Sequence, residues 1–410
     1  MSGRLDPAVN TWMAAHDTRE VLAALKAAGG EVRFVGGAVR NALAATPVTD
    51  IDIATTLVPG AVIRALTDKV ITAIPTGIEH GTITAVVRGR PFEITTLRRD
   101  VSTDGRRAAV AFTTDWTQDA RRRDFTMNAI YAAEDGTLFD PAGGIADLEK
   151  GRVRFVGDAA ARIREDYLRI LRLFRFHAWY GRGALDAEAL AAAIAEKAGL
   201  KRLSGERVQK ELLRLLEAPD PMPSLKSMHS SGILVEILPE PVRLGRLENL
   251  LAVTREVGLA PDPLRALAAL LPSVEAARMT AAGLRLSNAA RARLIDAAVP
   301  DGSLAPSLSL AAAARQLYRV GSERFIDRLL LRWAEEPKET RWKTLFIFAR
   351  DWTRPEFPVD GRDAMAAGAA EGPAVGRALA AVERWWVEQD FAPGRPALLA
   401  KLREAVAGKT

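Results

Sequence analysis

The run Phe34-Val35-Gly36-Gly37-Ala38-Val39-Arg40-Asn41-Ala42-Leu43, followed by Thr49-Asp50-Ile51-Asp52-Ile53-Ala54-Thr55, decides how the rest of the chain is read. An apolar strand enters a paired-glycine turn, a helix opens with an arginine in its first turn, and a second strand carries two aspartates one residue apart. Side chains alternate across a strand, so Asp50 and Asp52 share one face while Ile51 and Ile53 fill the other. Carboxylates brought that close repel one another and need cations between them. The chain has no cysteine and only four histidines, at 16, 80, 177 and 229. A hard divalent ion with oxygen ligands, Mg2+, therefore fits the pair better than zinc. A lone Asp-x-Asp is usually a solvated strand end and a lone Gly-Gly usually a turn. In this order, within about twenty residues, they read as a phosphate cradle facing a metal site, suited to phosphoryl or nucleotidyl transfer.

Outward from this core, residues from about 32 to 97 alternate short β-branched runs with turn signals: Val32–Val35, Ile51–Ile53, Val70–Ile74, Thr82–Val87 and Phe92–Leu97, with helices after Gly37 and after Pro59. Ahead of them the first thirty residues read as a helical amphipath (Val21, Leu22, Leu25) that ends at Gly29-Gly30. From Asp115 onward strands nearly stop, and Ala-, Leu- and Arg-rich stretches with three-to-four spacing run to the end. The expected fold is α+β: a small mixed-sheet head followed by an all-helical neck, body and tail. Breaks fall at Pro141–Gly144, Ala218–Pro223, Pro261–Pro263 and Pro355–Pro358.

Composition narrows the class. A chain of 410 residues is long enough for two to four domains, each with its own core. There is no apolar run of membrane-spanning length and no basic-then-apolar leader, so a cytoplasmic protein without a membrane partner is expected. Absence of cysteine removes disulfides, thiolate catalysis and zinc ribbons together. The net charge of +6 favours polyanion partners only weakly, but eight arginines stand against three acids between Arg152 and Arg182. The positive field is concentrated just after the head.

Three further constellations carry chemistry. In Phe92-Glu93-Ile94-Thr95-Thr96-Leu97-Arg98, Glu93 is either a third carboxylate beside Asp50 and Asp52 or an exposed strand glutamate. Arg121-Arg122-Arg123-Asp124-Phe125-Thr126-Met127-Asn128 places three cations at the start of a helix, then a carboxylate and an amide four residues apart on one face. Guanidinium forks match phosphate oxygens, and the Asp124/Asn128 pair suits the hydroxyls of a ribose. In Arg164-Glu165-Asp166-Tyr167-Leu168-Arg169-Ile170-Leu171-Arg172-Leu173-Phe174-Arg175, arginines recur every third residue with Asp166 one turn before the first. An amphipathic helix with a solvated basic face would look similar in isolation.

Taken in order, these blocks resemble the class II CCA-adding transfer-RNA nucleotidyltransferases and bacterial poly(A) polymerases, within the polymerase-beta-like nucleotidyltransferase superfamily. The resemblance spans about residues 30 to 217. It implies a Mg2+-dependent enzyme that adds C, C and A to the tRNA 3′ end from CTP and ATP without a nucleic-acid template, with no haem, flavin or zinc. By the same resemblance Gly36, Gly37 and Arg40 grip the triphosphate, and Asp50 and Asp52 are catalytic and bind two metals. Arg123, Asp124 and Asn128 take ribose and phosphate roles. Asp166 and Arg169 serve as an amino-acid template for the incoming base, with Arg172 and Arg175 completing an arginine ladder. Asp140–Leu148 looks like the turn leading to the neck, Ser204–Leu212 resembles a motif bracing the base-reading helix, and Arg98–Val110 resembles the family's flexible loop. The family often has Asp where this chain has Asn41. The implied domains are an N-terminal helix (1–30), a catalytic head (31–150), a neck (151–217) and an RNA-binding body and tail (218–410).

The base-reading role has a chemical basis of its own. Cytosine and adenine both offer an exocyclic amine beside a ring-nitrogen acceptor, which one carboxylate and one guanidinium satisfy. Uracil and guanine present a ring N–H beside a carbonyl, so the same groups would meet donor with donor and acceptor with acceptor. The competing activities are a poly(A) polymerase, a CC-only or A-only enzyme and, more remotely, a non-catalytic RNA-binding protein on the same scaffold. The only His-Asp pair, His16-Asp17, lies ahead of the head, which disfavours an added HD-type phosphohydrolase.

Overall fold

The computed structural model describes residues 3–104, 107–239, 241–300 and 302–408, with the backbone alone described over the remainder of 100–110. Contacts divide the chain into two compact units, Met1–Leu238 and Pro239–Thr410. Each has its own core.

The first unit is built on a seven-stranded mixed sheet. Its strands are β1 (Val32–Val35), β2 (Asp52–Thr55), β3 (Thr72–Gly77), β4 (Thr82–Val87), β5 (Arg90–Thr96), β8 (Tyr131–Ala132) and β9 (Leu138–Phe139). They lie in the order β3-β4-β5-β2-β1-β8-β9, and β2 and β5 are the parallel pair while the other neighbours run antiparallel. β4 buries Ile83, Ala85 and Val87 on one face and leaves Thr82, Thr84 and Val86 half-buried on the other. Phe34, Ile53, Ile83, Phe92 and Ile94 are wholly buried. The helices His16–Ala27 and Pro59–Thr67 pack on each other and on the sheet. Pro59 sits at the first helical position, where its missing N–H costs no hydrogen bond.

Two stretches depart from expectation. Arg98–Val110, read as a loop, contains β6 (Arg98–Asp104) and β7 (Arg107–Phe112), an antiparallel pair separate from the main sheet. Its polar composition hid the period of two, although Asp104-Gly105 is itself a hairpin-turn dipeptide. Gly105 and Arg106, and the side chains of Asp100, Asp104 and Arg107, lie outside the described residues. Beyond Asp115, β8 and β9 join the sheet; at two residues each they are too short for periodicity to reveal.

Helices account for the rest of the first unit. Asp115 caps Trp116–Arg121 by accepting from Thr117 and Gln118 amides, and Asp158 caps Ala159–Glu165 by accepting from Ala161. The long helix Leu168–Tyr180 buries Leu168, Ile170, Leu171, Leu173, Phe174 and Phe176, which leaves the arginine stripe on its other side. Gly205–Leu216 packs against it through Val208, Leu212, Leu215 and Leu216, and Met222–Ser230 follows, tied back by Ser224 to His177 (2.8 Å). The second unit is helical from Leu244–Glu256 to Arg395–Val406. Within it, Asp327 is buried and paired with Arg265 (2.7 Å) and Arg293 (2.6 Å), and Val382, Trp386, Leu398 and Leu402 form a core of their own. Among the described residues no helix is long and apolar enough to cross a membrane.

Candidate active site

β1 runs into Gly36, whose φ of 65° lies in the left-handed region that an L side chain resists. That conformation turns the chain directly into the helix Gly37–Leu43. A Cβ added at Gly36 would stand 3.4 Å from Asp52 Oδ2 and 3.7 Å from Arg123 Nη1; one at Gly37 would stand 3.6 Å from Asp52 Oδ2 and 3.7 Å from Arg40 Nη2. The paired glycines thus keep open a concavity floored by one carboxylate and two guanidinium groups. The Gly37 amide donates to Asp52.

The carboxylates are arranged differently from a simple strand pair. β2 begins at Asp52, so Asp50 lies in the bend before it, exposed, and accepts from the Thr49 hydroxyl (3.1 Å). The alternation nonetheless holds, with Ile51 and Ile53 buried. The parallel register sets Asp52 opposite Glu93. Burial, then the charge of Glu93, push the Asp52 carboxyl up to about 6 against the opposing pull of Arg123 and the Gly37 amide. This excess of negative charge is what a bound cation would relieve. Among the described residues no group of three or more carboxylate or imidazole side chains is gathered as a metal cluster. Two carboxylates beside a phosphate cradle still suit Mg2+, which commonly takes one or two protein carboxylates and fills its shell with water and substrate phosphate.

Arg40 is buried beneath Tyr180 and Phe176, its guanidinium carbon 4.5 Å and 5.0 Å from the ring centroids. It donates to Asn128 Oδ1 (2.6 Å) and to Asn41 Oδ1 (3.2 and 2.9 Å). Asn41 Oδ1 also accepts from Tyr180 (2.8 Å), and its amide donates to the Pro47 carbonyl (3.0 Å). The uncharged amide therefore does hold Arg40, and it also anchors the segment leading to Asp50.

Arg121–Arg123 end a helix instead of starting one, and Thr126–Asn128 is a single 3-10 turn. The cause is local: the Asp115 cap starts the helix at Trp116, ahead of the arginines, and the Asp124 side chain accepts its neighbour's amide (Phe125, 2.8 Å). Asp124 and Asn128 still meet, Nδ2 to Oδ1 at 2.9 Å. Burial alone would raise Asp124; Arg172, donating from Nε at 2.7 Å, with the Asn128 and Phe125 donors, holds it well below the usual carboxylate range. Arg123 is clamped by Asp119 Oδ2 (3.0 Å) and the Tyr131 hydroxyl (3.2 Å), which leaves Nη1 toward the cradle.

Asp166 and Arg169 lie at the start of the Leu168–Tyr180 helix but do not bond to each other through their side chains. Asp166 accepts from Arg207 (2.7 Å) and from the Leu168 amide (3.1 Å). Arg169 donates to Glu165 (2.6 Å) and to the Arg162 carbonyl (2.9 Å). Arg172 is shared between Asp124 and Glu211, and Arg175 pairs with Glu211. One polar chain results, running Tyr180–Asn41–Arg40–Asn128–Asp124–Arg172–Glu211–Arg175. It joins the cradle to the arginine stripe.

In the sequence, Glu165 stands in the template motif and Arg207 and Glu211 in the bracing motif without partners assigned to them, whereas Asp119 is not singled out at all. Asp119 is wholly buried and held low by Arg123 and Arg122, which outweigh the effect of burial. Its spacing of three and four from those arginines, across the end of the helix, is the signal that could have found it. Glu211 stands among Val208, Leu212 and Leu215 on an apolar face, a place where an acid needs a partner.

A glycine cradle, a facing carboxylate pair and a clamped arginine on a small mixed sheet define a nucleotidyltransferase head. Comparison with known proteins agrees: the family described as Poly A polymerase head domain matches residues 32–154, and that described as a probable RNA and SrmB-binding site of polymerase A matches 184–243. Mitochondrial CCA tRNA nucleotidyltransferase 1 of Mus musculus is 35% identical over 91% of this chain and 87% of its own length. The CCA-adding enzyme of Levilactobacillus brevis is 31% identical over 94% and 97%. The crystal structure of the Bacillus stearothermophilus CCA-adding enzyme in complex with CTP superposes with a TM-score of 0.69 at 27% identity, covering 96% of this chain and 98% of that one. The chain belongs to the family of CCA-adding nucleotidyltransferases and poly(A) polymerases.

Proposed function

We infer that this chain adds C, C and A in turn to the 3′ end of tRNA, taking CTP and ATP, releasing pyrophosphate and using no nucleic-acid template. The observation that carries the reading is that Asp166 stands just ahead of, and Arg169 on, the helix whose Arg172 is bonded to Asp124, which is linked through Asn128 to Arg40 of the cradle. A base meeting that carboxylate and guanidinium belongs to a nucleotide whose ribose lies at Asp124 and Asn128 and whose phosphates lie over Gly36 and Gly37. Arg207 and Glu165 hold the two readers in fixed orientation.

Asp50 and Asp52 would hold Mg2+, which when bound would favour deprotonation of the attacking 3′-hydroxyl and stabilise the negative charge of the departing pyrophosphate. The protein's own work is positioning and charge stabilisation. Arg123 Nη1 and the Gly37 helix face the phosphates. Burial and Glu93 raise the Asp52 carboxyl to about 6 in the metal-free protein, and a bound cation would pull it back down. The head and the arginine-bearing helices form the catalytic part, and residues beyond them contribute RNA binding.

The test is stepwise extension. On tRNA lacking three, two or one terminal nucleotides, CTP alone should extend the first two and ATP alone the third, with UTP and GTP inert. ATP extending all three substrates would make the protein a poly(A) polymerase, and extension of only some substrates would make it a CC-only or A-only enzyme.

A further inference from the structure

We propose that a cavity of about 610 Å3 lined by Arg99, Gln118, Arg121, Arg122 and Arg162 seats a backbone phosphodiester of the RNA strand that delivers its 3′ end to the site. This rests on the tRNA-extending reading above and adds to it a phosphate subsite outside the nucleotide cradle.

The cavity is built from β6 (Arg99), the end of the Trp116–Arg121 helix and the Ala159–Glu165 helix. Two of its arginines are anchored, and the manner of anchoring locates it. Arg122 binds Asp119 Oδ1 (2.6 Å), while Arg123, facing the cradle, binds Oδ2 of the same carboxylate (3.0 Å). Arg162 binds Glu165 Oε1 (2.6 Å), while Arg169, on the base-reading helix, binds Oε2 (2.6 Å). Each wall is therefore one shared carboxylate away from a residue of the nucleotide site, yet none of its cations is the one the nucleotide would use.

The other two arginines, Arg99 and Arg121, are exposed and have no carboxylate partner among the described residues. Gln118 accepts at Oε1 from Thr113 (3.4 Å), which leaves its amide hydrogens to donate. Among the described residues no acid lines the cavity. With Arg122 and Arg162 held by Asp119 and Glu165, Arg99 and Arg121 are the lining cations among the described residues that are left for a phosphate, in a space large enough for a phosphodiester and its sugar. Planar guanidinium donors match phosphate oxygens in geometry as well as charge. The phosphates of CTP or ATP, or released pyrophosphate, present the same chemistry, but they have their own cradle on the far side of Asp119.

The experiment compares the full-length protein with Arg99→Ala/Arg121→Ala and Arg99→Lys/Arg121→Lys, neither of which removes an internal ion pair. Binding of tRNA lacking its CCA end is measured without nucleotide between about 50 and 200 mM salt. The alanine variant should bind roughly five- to twentyfold more weakly at the low end, and its log–log salt slope should be shallower by about one. The lysine variant should recover most of the loss, while KM for CTP and inhibition by pyrophosphate stay unchanged in both. Unchanged tRNA affinity and slope in the alanine variant would overturn the proposal. So would a rise in KM for CTP or weaker pyrophosphate inhibition with RNA binding intact, since the cavity would then serve the nucleotide. The tRNA-binding and salt-slope arm needs no turnover, so a wild-type protein that extends no tRNA would refute the functional reading without obscuring that result.

Discussion

Asp52 carries the sharpest conflict between stability and chemistry in the molecule. Folding buries it beside Glu93 and raises its carboxyl from the ordinary 3.8 to about 6. As pH rises through that window the unfolded chain loses its proton first, so the metal-free fold loses stability between about pH 4 and 6 and bears the full penalty above it. Asp52→Asn should therefore stabilise the metal-free protein at pH 7 by on the order of 1–2 kcal/mol in denaturant titrations, with no difference below about pH 4. Nucleotide addition should be abolished in that variant, and in Asp50→Ala and Asp52→Ala, while tRNA affinity stays within about twofold, since RNA is held by phosphate contacts elsewhere. Turnover retained in both alanine variants would end the assignment of the pair. Asp166 is a second test at this scale. Asp166→Ala leaves the amine of C or A without its acceptor and removes the mismatch against U or G. The ratio of kcat/KM for CTP over UTP should then shrink by roughly ten- to a hundredfold, about 1–3 kcal/mol. An unchanged ratio would return Asp166 to a purely structural role as the partner of Arg207.

Among the elements, the pairing of the Leu168–Tyr180 helix with Gly205–Leu216 governs how firmly Asp166 and the arginine stripe are held. Glu211 is buried and answers both Arg172 and Arg175. Removing it leaves Arg175 without its carboxylate, so Glu211→Ala should cost about 3 kcal/mol in chemical denaturation and lower kcat for CTP and ATP alike. A loss below about 0.5 kcal/mol would show that Asp124 and solvent already satisfy both cations. This layer was only partly legible in the sequence. Alternating β-branched residues revealed β1, β2, β4 and β5, and the three-residue recurrence of arginine revealed the helix, because each signal is a local periodicity. The β6–β7 pair was hidden by polar composition, and β8 and β9 by their brevity. The true position of Arg121–Arg123 depended on the Asp115 cap upstream. The cradle, Asp52 and the Asp124–Asn128 contact could be read because their spacing is short. The links of Arg172 to Asp124 and of Arg207 to Asp166 join residues more than forty positions apart, and only the folded chain brings them together.

At the scale of the whole molecule, every group argued to touch nucleotide lies in Met1–Leu238, while Pro239–Thr410 is helical and has a separate core. Residues 1–238 produced alone should bind CTP with nearly full affinity and bind tRNA roughly tenfold more weakly than the full chain, because fewer phosphates are contacted. Equal losses of both, measured by titration, would mean that the second unit is needed to fold the first. The account as a whole stands on one claim, that amino-acid side chains instead of a nucleic-acid template dictate the order C, C, A. The most direct measurement is to incubate the protein with tRNA lacking its last three nucleotides, all four nucleoside triphosphates and Mg2+, and to sequence the 3′ ends. The account predicts a single dominant product ending in CCA and extension that stops there. Adenosine tails of mixed length, ends containing U or G, or no extension at all would contradict it.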